Sequence, residues 1–133
     1  MKKTDYVLDT HALVFALTAP SKLGAGARKA FRQIESGRHI AWIPAVVAAE
    51  LTLLHELGRI RIGLSELKDA MEGVPSLRFL PLDLGQIDDF AALGSMREAF
   101  DRFIVAATRS VGGKLITRDQ RIIDAGLVQT VWS

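Results

Sequence analysis

Short unbroken apolar runs alternate along this chain with longer stretches whose apolar residues recur at helical spacing, the pattern of strands feeding helices. Lys3 to Leu8 reads as a buried first strand, and His11 to Leu17 continues at helical spacing until Ala19-Pro20 stops it. Ser21 is placed to cap a second helix. Its apolar stripe is Leu23, Ala27, Ala30, Phe31 and Ile34, its solvated face Arg28, Lys29, Arg32 and Glu35, and its end Gly37. His39 to Ile43 reads as the second strand. Pro44 suits the first turn of a third helix, which carries Val46, Val47, Leu51, Leu54 and Leu57 and closes at Gly58, with Arg59 and Arg61 beyond it.

Ser65 with Lys68-Asp69 opens a shorter helix to Gly73, and Leu77 to Leu82, interrupted by Pro81, is expected as a strand near a sheet edge. Asp83 or Leu84 begins a helix through Ile87, Phe90, Ala91 and Leu93; another runs from about Phe100 to Val111, before Gly112-Gly113. A strand from Lys114 to Thr117, a short helix from Gln120 to Ala125 and a strand from Leu127 to Trp132 follow. Strands separated in this way by helices pair in parallel and are covered on both faces, so the expected class is α/β, a three-layer sandwich with a central parallel sheet.

Composition narrows the chemistry. A chain of 133 residues, 49% of them hydrophobic, supports one core of ordinary size, and residues 1–133 are read as a single domain. With no cysteine, disulfide frameworks, thiolate metal sites and cysteine nucleophiles are excluded, while oxygen-ligated metal stays open. Met1-Lys2-Lys3 resembles the opening of a signal peptide, but Thr4-Asp5 interrupts it and the apolar stretch beyond carries Asp9 and His11. No segment approaches the roughly 20 uninterrupted apolar residues of a membrane span, so a cytoplasmic location without membrane attachment is expected. A net charge of +2 leans only weakly towards a polyanionic partner.

Four acids stand where these strands end or these helices turn inward: Asp9 after Tyr6-Val7-Leu8, Glu50 after Val46-Val47-Ala48-Ala49, Asp101 before Phe103-Ile104-Val105, and Asp119 after Leu115-Ile116-Thr117-Arg118. An ionised carboxylate in apolar surroundings costs roughly several kcal/mol unless it is paired or ligated. No single Lys or Arg is placed to neutralise all four, whereas a divalent cation is able to. Ligands of open parallel sheets gather at the carboxyl ends of the strands, where the strand order reverses, and Asp9 and Asp119 each close a strand at that end. Glu50 has Val46, Val47, Leu53 and Leu54 three and four positions away, which sets it on the apolar stripe of its helix. Asp101 shares a helical face with Ile104 and Val105. Taken singly, an Asp after a strand or at a helix start is an ordinary turn or N-cap residue; four such positions in one small domain argue for a shared site. Hard oxygen ligands suit Mg²⁺ or Mn²⁺, and such a cation can activate a water, orient a scissile phosphate and stabilise the leaving oxygen. No histidine base is then required, so His11, His39 and His55 are read as structural or surface groups. Arg102, Arg118 and Arg121 flank the acids, suited either to a nucleic-acid backbone or to ordinary ion pairs.

The segments Val7-Leu8-Asp9-Thr10-His11-Ala12-Leu13, Val47-Ala48-Ala49-Glu50-Leu51, Phe100-Asp101-Arg102-Phe103-Ile104-Val105-Ala106-Ala107-Thr108 and Leu115-Ile116-Thr117-Arg118-Asp119 resemble, in order and spacing, the successive signatures of PIN-domain nucleases. Within that superfamily, the length and the Asp-Thr-His-Ala-Leu opening resemble VapC-type toxins of bacterial toxin-antitoxin pairs. The resemblance implies a PIN-like fold, Mg²⁺ or Mn²⁺ held by Asp9, Glu50, Asp101 and Asp119, and hydrolysis of RNA. It also implies a homodimer and a cognate antitoxin whose tail enters the acidic cleft. Thr10 and Thr117 match family positions whose hydroxyls hold a ligand or a water. The chain departs from the pattern where many relatives carry Asp-Pro before the Phe-Asp-Arg triplet: Glu98 and Ala99 stand there, which leaves the start of that helix open.

Two other architectures gather acids around Mg²⁺. A receiver-like signalling domain requires adjacent acids after the first strand and a phospho-accepting Asp after a middle strand, where this chain has Asp9 alone and Pro44. A haloacid-dehalogenase-type phosphatase requires a second Asp two places after the first, where His11 stands. A PIN-like fold serving only as a binding module is the third alternative; inactive relatives usually lack some of the acids, and all four are present here.

Overall fold

The computed structural model describes residues 2–133. Five strands, β1 (Asp5–Leu8), β2 (Ile40–Pro44), β3 (Leu77–Leu80), β4 (Lys114–Ile116) and β5 (Gln129–Val131), form one sheet in the order β3-β2-β1-β4-β5, and every neighbouring pair is parallel. Seven helices flank it: α1 (Thr10–Thr18), α2 (Ala25–Glu35), α3 (Ala45–Glu56), α4 (Leu64–Gly73), α5 (Leu84–Ala92), α6 (Ala99–Ser110) and α7 (Gln120–Ala125). The three-layer α/β sandwich read from the alternation of patterns is therefore the fold, and β3, the strand beside Pro81, lies at an edge as expected.

Parallel strands are buried on both faces, which is why the central ones read as unbroken apolar runs rather than as alternations. Val7, Leu8, Ile43, Leu115 and Ile116 are almost wholly buried, and Leu13, Ile34, Val47, Leu51, Val105 and Ile122 close over them from the helices. α3 packs against α1, α4 and α6, and α5 against α6. His39 is structural, as read: its Nδ1 accepts the Thr4 N–H at 3.0 Å and its ring meets Tyr6 edge-on.

Three sequence readings need correction. Ser21 does not cap α2; it lies in a 3₁₀ turn, Pro20–Lys22, and α2 starts at Ala25 behind Gly24. The end of the chain takes over the capping, because the Ala27 N–H donates to the Trp132 carbonyl at 2.9 Å, and a Cβ on Gly24 would lie 2.2 Å from that same oxygen. Pro44 is the last residue of β2 and the N-cap of α3 rather than part of its first turn. The apolar stripe of α3 is narrower than its spacing implied: Val47, Ala48 and Leu51 are buried, while Leu53 and Leu57 are 45% and 57% exposed.

The break at Gly112-Gly113 delivers the chain into β4 beside β1, where a Cβ on Gly113 would meet the Asp5 carbonyl oxygen at 2.6 Å. Gly113→Ala is expected to destabilise the protein by about 1–3 kcal/mol through this backbone clash. Gly73→Ala, at a position with open space around it, should be neutral or stabilising by up to ~1 kcal/mol through helix propensity. Urea unfolding of both variants checks the contrast, and equal effects would refute the account of the β1–β4 junction.

Candidate active site

The strand order reverses between β1 and β4: from β1 the chain builds outward to β2 and β3, then returns to place β4 on the other side. The carboxyl ends of these two strands form the crevice in which parallel sheets bind ligands. At the end of β1, Asp9 leaves the ladder with its N–H still bonded to the Ile116 carbonyl of β4 (3.3 Å) and caps α1, its Oδ1 accepting the Ala12 N–H at 2.9 Å. At the end of β4, Asp119 caps α7 in the same way, its Oδ1 accepting the Arg121 N–H at 2.9 Å. Between these two, the fully buried Thr117 couples them: its Oγ1 accepts the Asp119 N–H at 3.0 Å, and its hydroxyl hydrogen-bonds the Asp9 carboxylate.

The helices supply the remaining acids. Glu50, in the middle of α3, accepts a hydrogen bond from the hydroxyl of Thr10, the first residue of α1. Asp101, in the first turn of α6, has its N–H capped by Glu98 Oε2 at 2.6 Å. Asp9, Thr10, Glu50, Asp101, Arg118 and Asp119 thus line one cavity of about 420 Å³, joined by His11, Glu98, Ile104 and Arg121.

The acids lie close enough to disturb one another. Burial pushes the Asp9 carboxyl above the ordinary carboxylate range, opposed by its hydrogen bonds from Thr117 and Ala12 and reinforced by the charge of Asp119. Asp101 is pushed up to about 6, first by burial and then by the negative charges of Asp119 and Glu98. Arg121 reaches back from α7 to relieve part of this, its Nη2 lying 3.3 Å from Asp101 Oδ2 and 3.4 Å from Asp119 Oδ2. Its side chain is 73% exposed, so the bridge is solvent-screened and easily displaced.

The donor set is composed of oxygens alone, carboxylates with a threonine hydroxyl, in a site whose charged forms are under-compensated; that chemistry suits a hard divalent cation. Among the described residues no three of these side chains stand close enough together to enclose a metal as they are. Arg121 sits between Asp101 and Asp119, and the Thr10 hydroxyl takes up Glu50.

Of the supporting residues expected from sequence, Thr10 and Arg118 line the cavity and Thr117 lies beneath it. Arg102 does not reach it. Its guanidinium is tied to α5, donating to the Phe90 carbonyl from Nε (3.1 Å) and Nη2 (2.7 Å) and lying 3.9 Å from the Phe90 ring centroid. On a helix, a residue directly after an inward-facing one points about a quarter-turn away, and for Arg102 that direction leads to α5. Glu98 is the cavity acid that sequence reading passed over. Its signal was the Glu-x-x-Asp spacing, in which a side chain three positions ahead caps the helix that carries Asp101.

A family model described as PIN domain matches residues 6–127. No curated protein matches the chain. Solved structures of similar fold include VapBC2 from Rickettsia felis bound to a DNA fragment from its promoter, with a TM-score of 0.71 at 12% identity, covering 98% of this chain and 100% of that one. FitAcB from Neisseria gonorrhoeae superposes with a TM-score of 0.66 at 20% identity, covering 94% and 95%. VapC20 from Mycobacterium tuberculosis, a toxin that cleaves the sarcin-ricin loop, gives 0.66 at 15% identity, covering 93% and 97%. At these identities the structures speak for the fold, and the family model speaks for descent. The chain belongs to the PIN domain family.

Proposed function

We propose that this protein is a Mg²⁺- or Mn²⁺-dependent endoribonuclease, the toxin of a toxin-antitoxin pair, acting as one PIN domain over residues 1–133. The observation that carries the reading is the convergence of Asp9, Glu50, Asp101 and Asp119 on one cavity at the β1–β4 switch point. The toxin assignment draws on structural neighbours that are VapC toxins or toxin-antitoxin complexes. The same likeness supports a cognate antitoxin as partner; a homodimer is proposed beside it, and exposed Leu53, Leu57, Leu82, Leu84 and Ile87 offer apolar surface for such contacts. A cytoplasmic location fits that role; among the described residues no helix is long and apolar enough to cross a membrane.

Asp9, Glu50, Asp101 and Asp119 would hold the cation, which when bound supplies Lewis-acid activation of water and stabilisation of the phosphate charge. Thr117 fixes the Asp9 carboxylate relative to the Asp119 backbone, and Thr10 orients Glu50. Arg121, whose exposed side chain reaches Asp101 and Asp119, and Arg118 both line the cavity, placed to contact a phosphate there.

Purified protein is expected to cut single-stranded RNA with Mg²⁺ or Mn²⁺ and to stop in EDTA. Asp9→Asn, which keeps shape and removes charge, should lower kcat/KM by about a hundredfold or more. Expression of the wild type alone should arrest growth where that of Asp9→Asn does not. Cleavage that persists in chelator, other nucleases excluded, would sink the metal mechanism.

The electrostatics predict a second behaviour. Because the folded-state pKa of Asp101 is raised to about 6 from an ordinary 3.8, the folded chain binds more protons than the unfolded chain between those values. Metal-free protein should therefore lose stability as pH rises through that window. Asp101→Asn should flatten the slope, and added Mn²⁺ should raise the wild-type Tm more than that of the variant. Thermal melts in EDTA and in Mn²⁺ across pH 4 to 7 (roughly the span of the two pKa values) decide it; parallel curves for wild type and variant would contradict the crowded-acid picture.

A further inference from the structure

Next to the cavity that holds the acids lies a second one of about 650 Å³, and His11 and Glu50 line both. The second cavity runs between the end of α1 and the loop after α3, and its character is different. Lys22, Arg59 and Arg61 border it, all exposed, and none is in an ion pair among the described residues. Glu50, at the junction, is the single carboxylate of its lining. In its wall lies the half-buried Phe15 ring, with Lys22 Nζ 5.6 Å from its centroid, the Arg118 guanidinium at 4.9 Å and the His11 ring at 6.4 Å. Other exposed basic side chains, Arg28 and Lys29 on the solvated face of α2 among them, are likewise outside the ion pairs of the described residues; those of this cavity differ in lying beside an aromatic ring and next to the acidic cavity.

Unpaired cations around an aromatic platform are the means by which proteins hold single-stranded nucleic acid: the cations track phosphates, and the rings stack on bases without demanding a sequence. We propose that this cavity is the groove for the RNA strand on one side of the scissile phosphate, with Lys22, Arg59 and Arg61 as phosphate contacts and Phe15, flanked by His11, as the stacking surface. The inference rests on the nuclease reading of the adjoining acids, and it names positioning residues rather than catalytic ones. A strand lying along it passes directly from basic groove to acidic cavity through the His11–Glu50 junction. An acidic peptide would also meet the three cations, but would have no use for the Phe15 ring beside Lys22.

The test is fluorescence anisotropy of a labelled single-stranded oligoribonucleotide in EDTA, so that binding is read without cleavage. Arg59→Glu/Arg61→Glu should weaken binding at least about tenfold and reduce the slope of log affinity against log salt by about 0.7 for each phosphate no longer neutralised. Arg59→Gln/Arg61→Gln should do the same to a smaller degree, and Phe15→Leu should weaken binding by about fivefold or more. Arg28→Glu/Lys29→Glu, an equal charge change on the solvated face of α2, should stay within about threefold of wild type. Thermal melts establish that each variant is folded. Equal losses in the two charge-reversed pairs would reduce the effect to overall charge and overturn the groove, as would wild-type binding by the Arg59/Arg61 variants. The nuclease reading fails separately: wild type that binds RNA through the groove but never cuts it with Mn²⁺ removes the reaction and leaves the groove. Mn²⁺-dependent cleavage with an unaltered KM in the Arg59/Arg61 variants does the reverse.

Discussion

The parallel pairing of β1 with β4 decides where the chemistry of this molecule sits. The register sets Leu8 opposite Ile116, so the next residues on the two strands, Asp9 and Thr117, leave the ladder side by side. A slip of one residue would turn the side chains of one strand to the opposite face and part the acid from the hydroxyl that holds it. Since β1 lies between β2 and β4, Val7 and Leu8 are buried on both sides, and Asp9 is the first polar side chain the chain can place as the sheet ends. It remains only 8% exposed. The packing that fixes the acid is therefore also what desolvates it, and position and raised proton affinity share one cause.

A cluster of carboxylates in such a place requires support that does not neutralise it permanently. The fold provides this through helix termini: Asp9, Glu98 and Asp119 are the N-caps of α1, α6 and α7, each taking up a first-turn N–H that has no acceptor within its own helix, so three helix N-termini border the cavity. Each such terminus favours a nearby negative charge by about 0.3–1 kcal/mol. That support is fixed in the backbone, whereas the side-chain contribution comes from Arg121, long, exposed and free to turn elsewhere. A buried lysine among the acids would have stabilised the protein alone and closed the site; a solvent-facing arginine leaves it open.

The sequence carried the topology because each level of the pattern agreed: apolar runs long enough for buried strands, helical stripes between them, and Gly or Pro at most boundaries. It carried Asp9 and Asp119 because strand ends are visible as the point where an apolar run stops. Glu50 was placed by periodicity and does reach the cavity, although the stripe used to place it was too wide, since Leu53 and Leu57 face outward. What periodicity does not contain is the far end of a long side chain. Arg102 and Arg121 look alike in sequence, both close to an acid, yet one folds back on the Phe90 carbonyl and the other spans two carboxylates. That choice is made by which element packs nearby, here α5 for Arg102. Likewise, nothing local announced that Trp132, at the far end of the chain, would displace Ser21 as the cap of α2.

The one departure from the family pattern tests whether a motif is needed for its residues or for its geometry. Proline at the first helical position helps by presetting φ and by lacking an N–H that would have no partner. Without it, α6 still begins at Ala99, because the Glu98 carboxylate takes the Asp101 N–H and holds that backbone in place. The same carboxylate has a second consequence. Glu98 sets a negative charge on the cavity wall, and that charge is among the causes that lift the Asp101 carboxyl. The helix start and the electrostatics of the site are thus coupled here through one side chain: the residue that fixes where Asp101 stands also makes that acid harder to ionise.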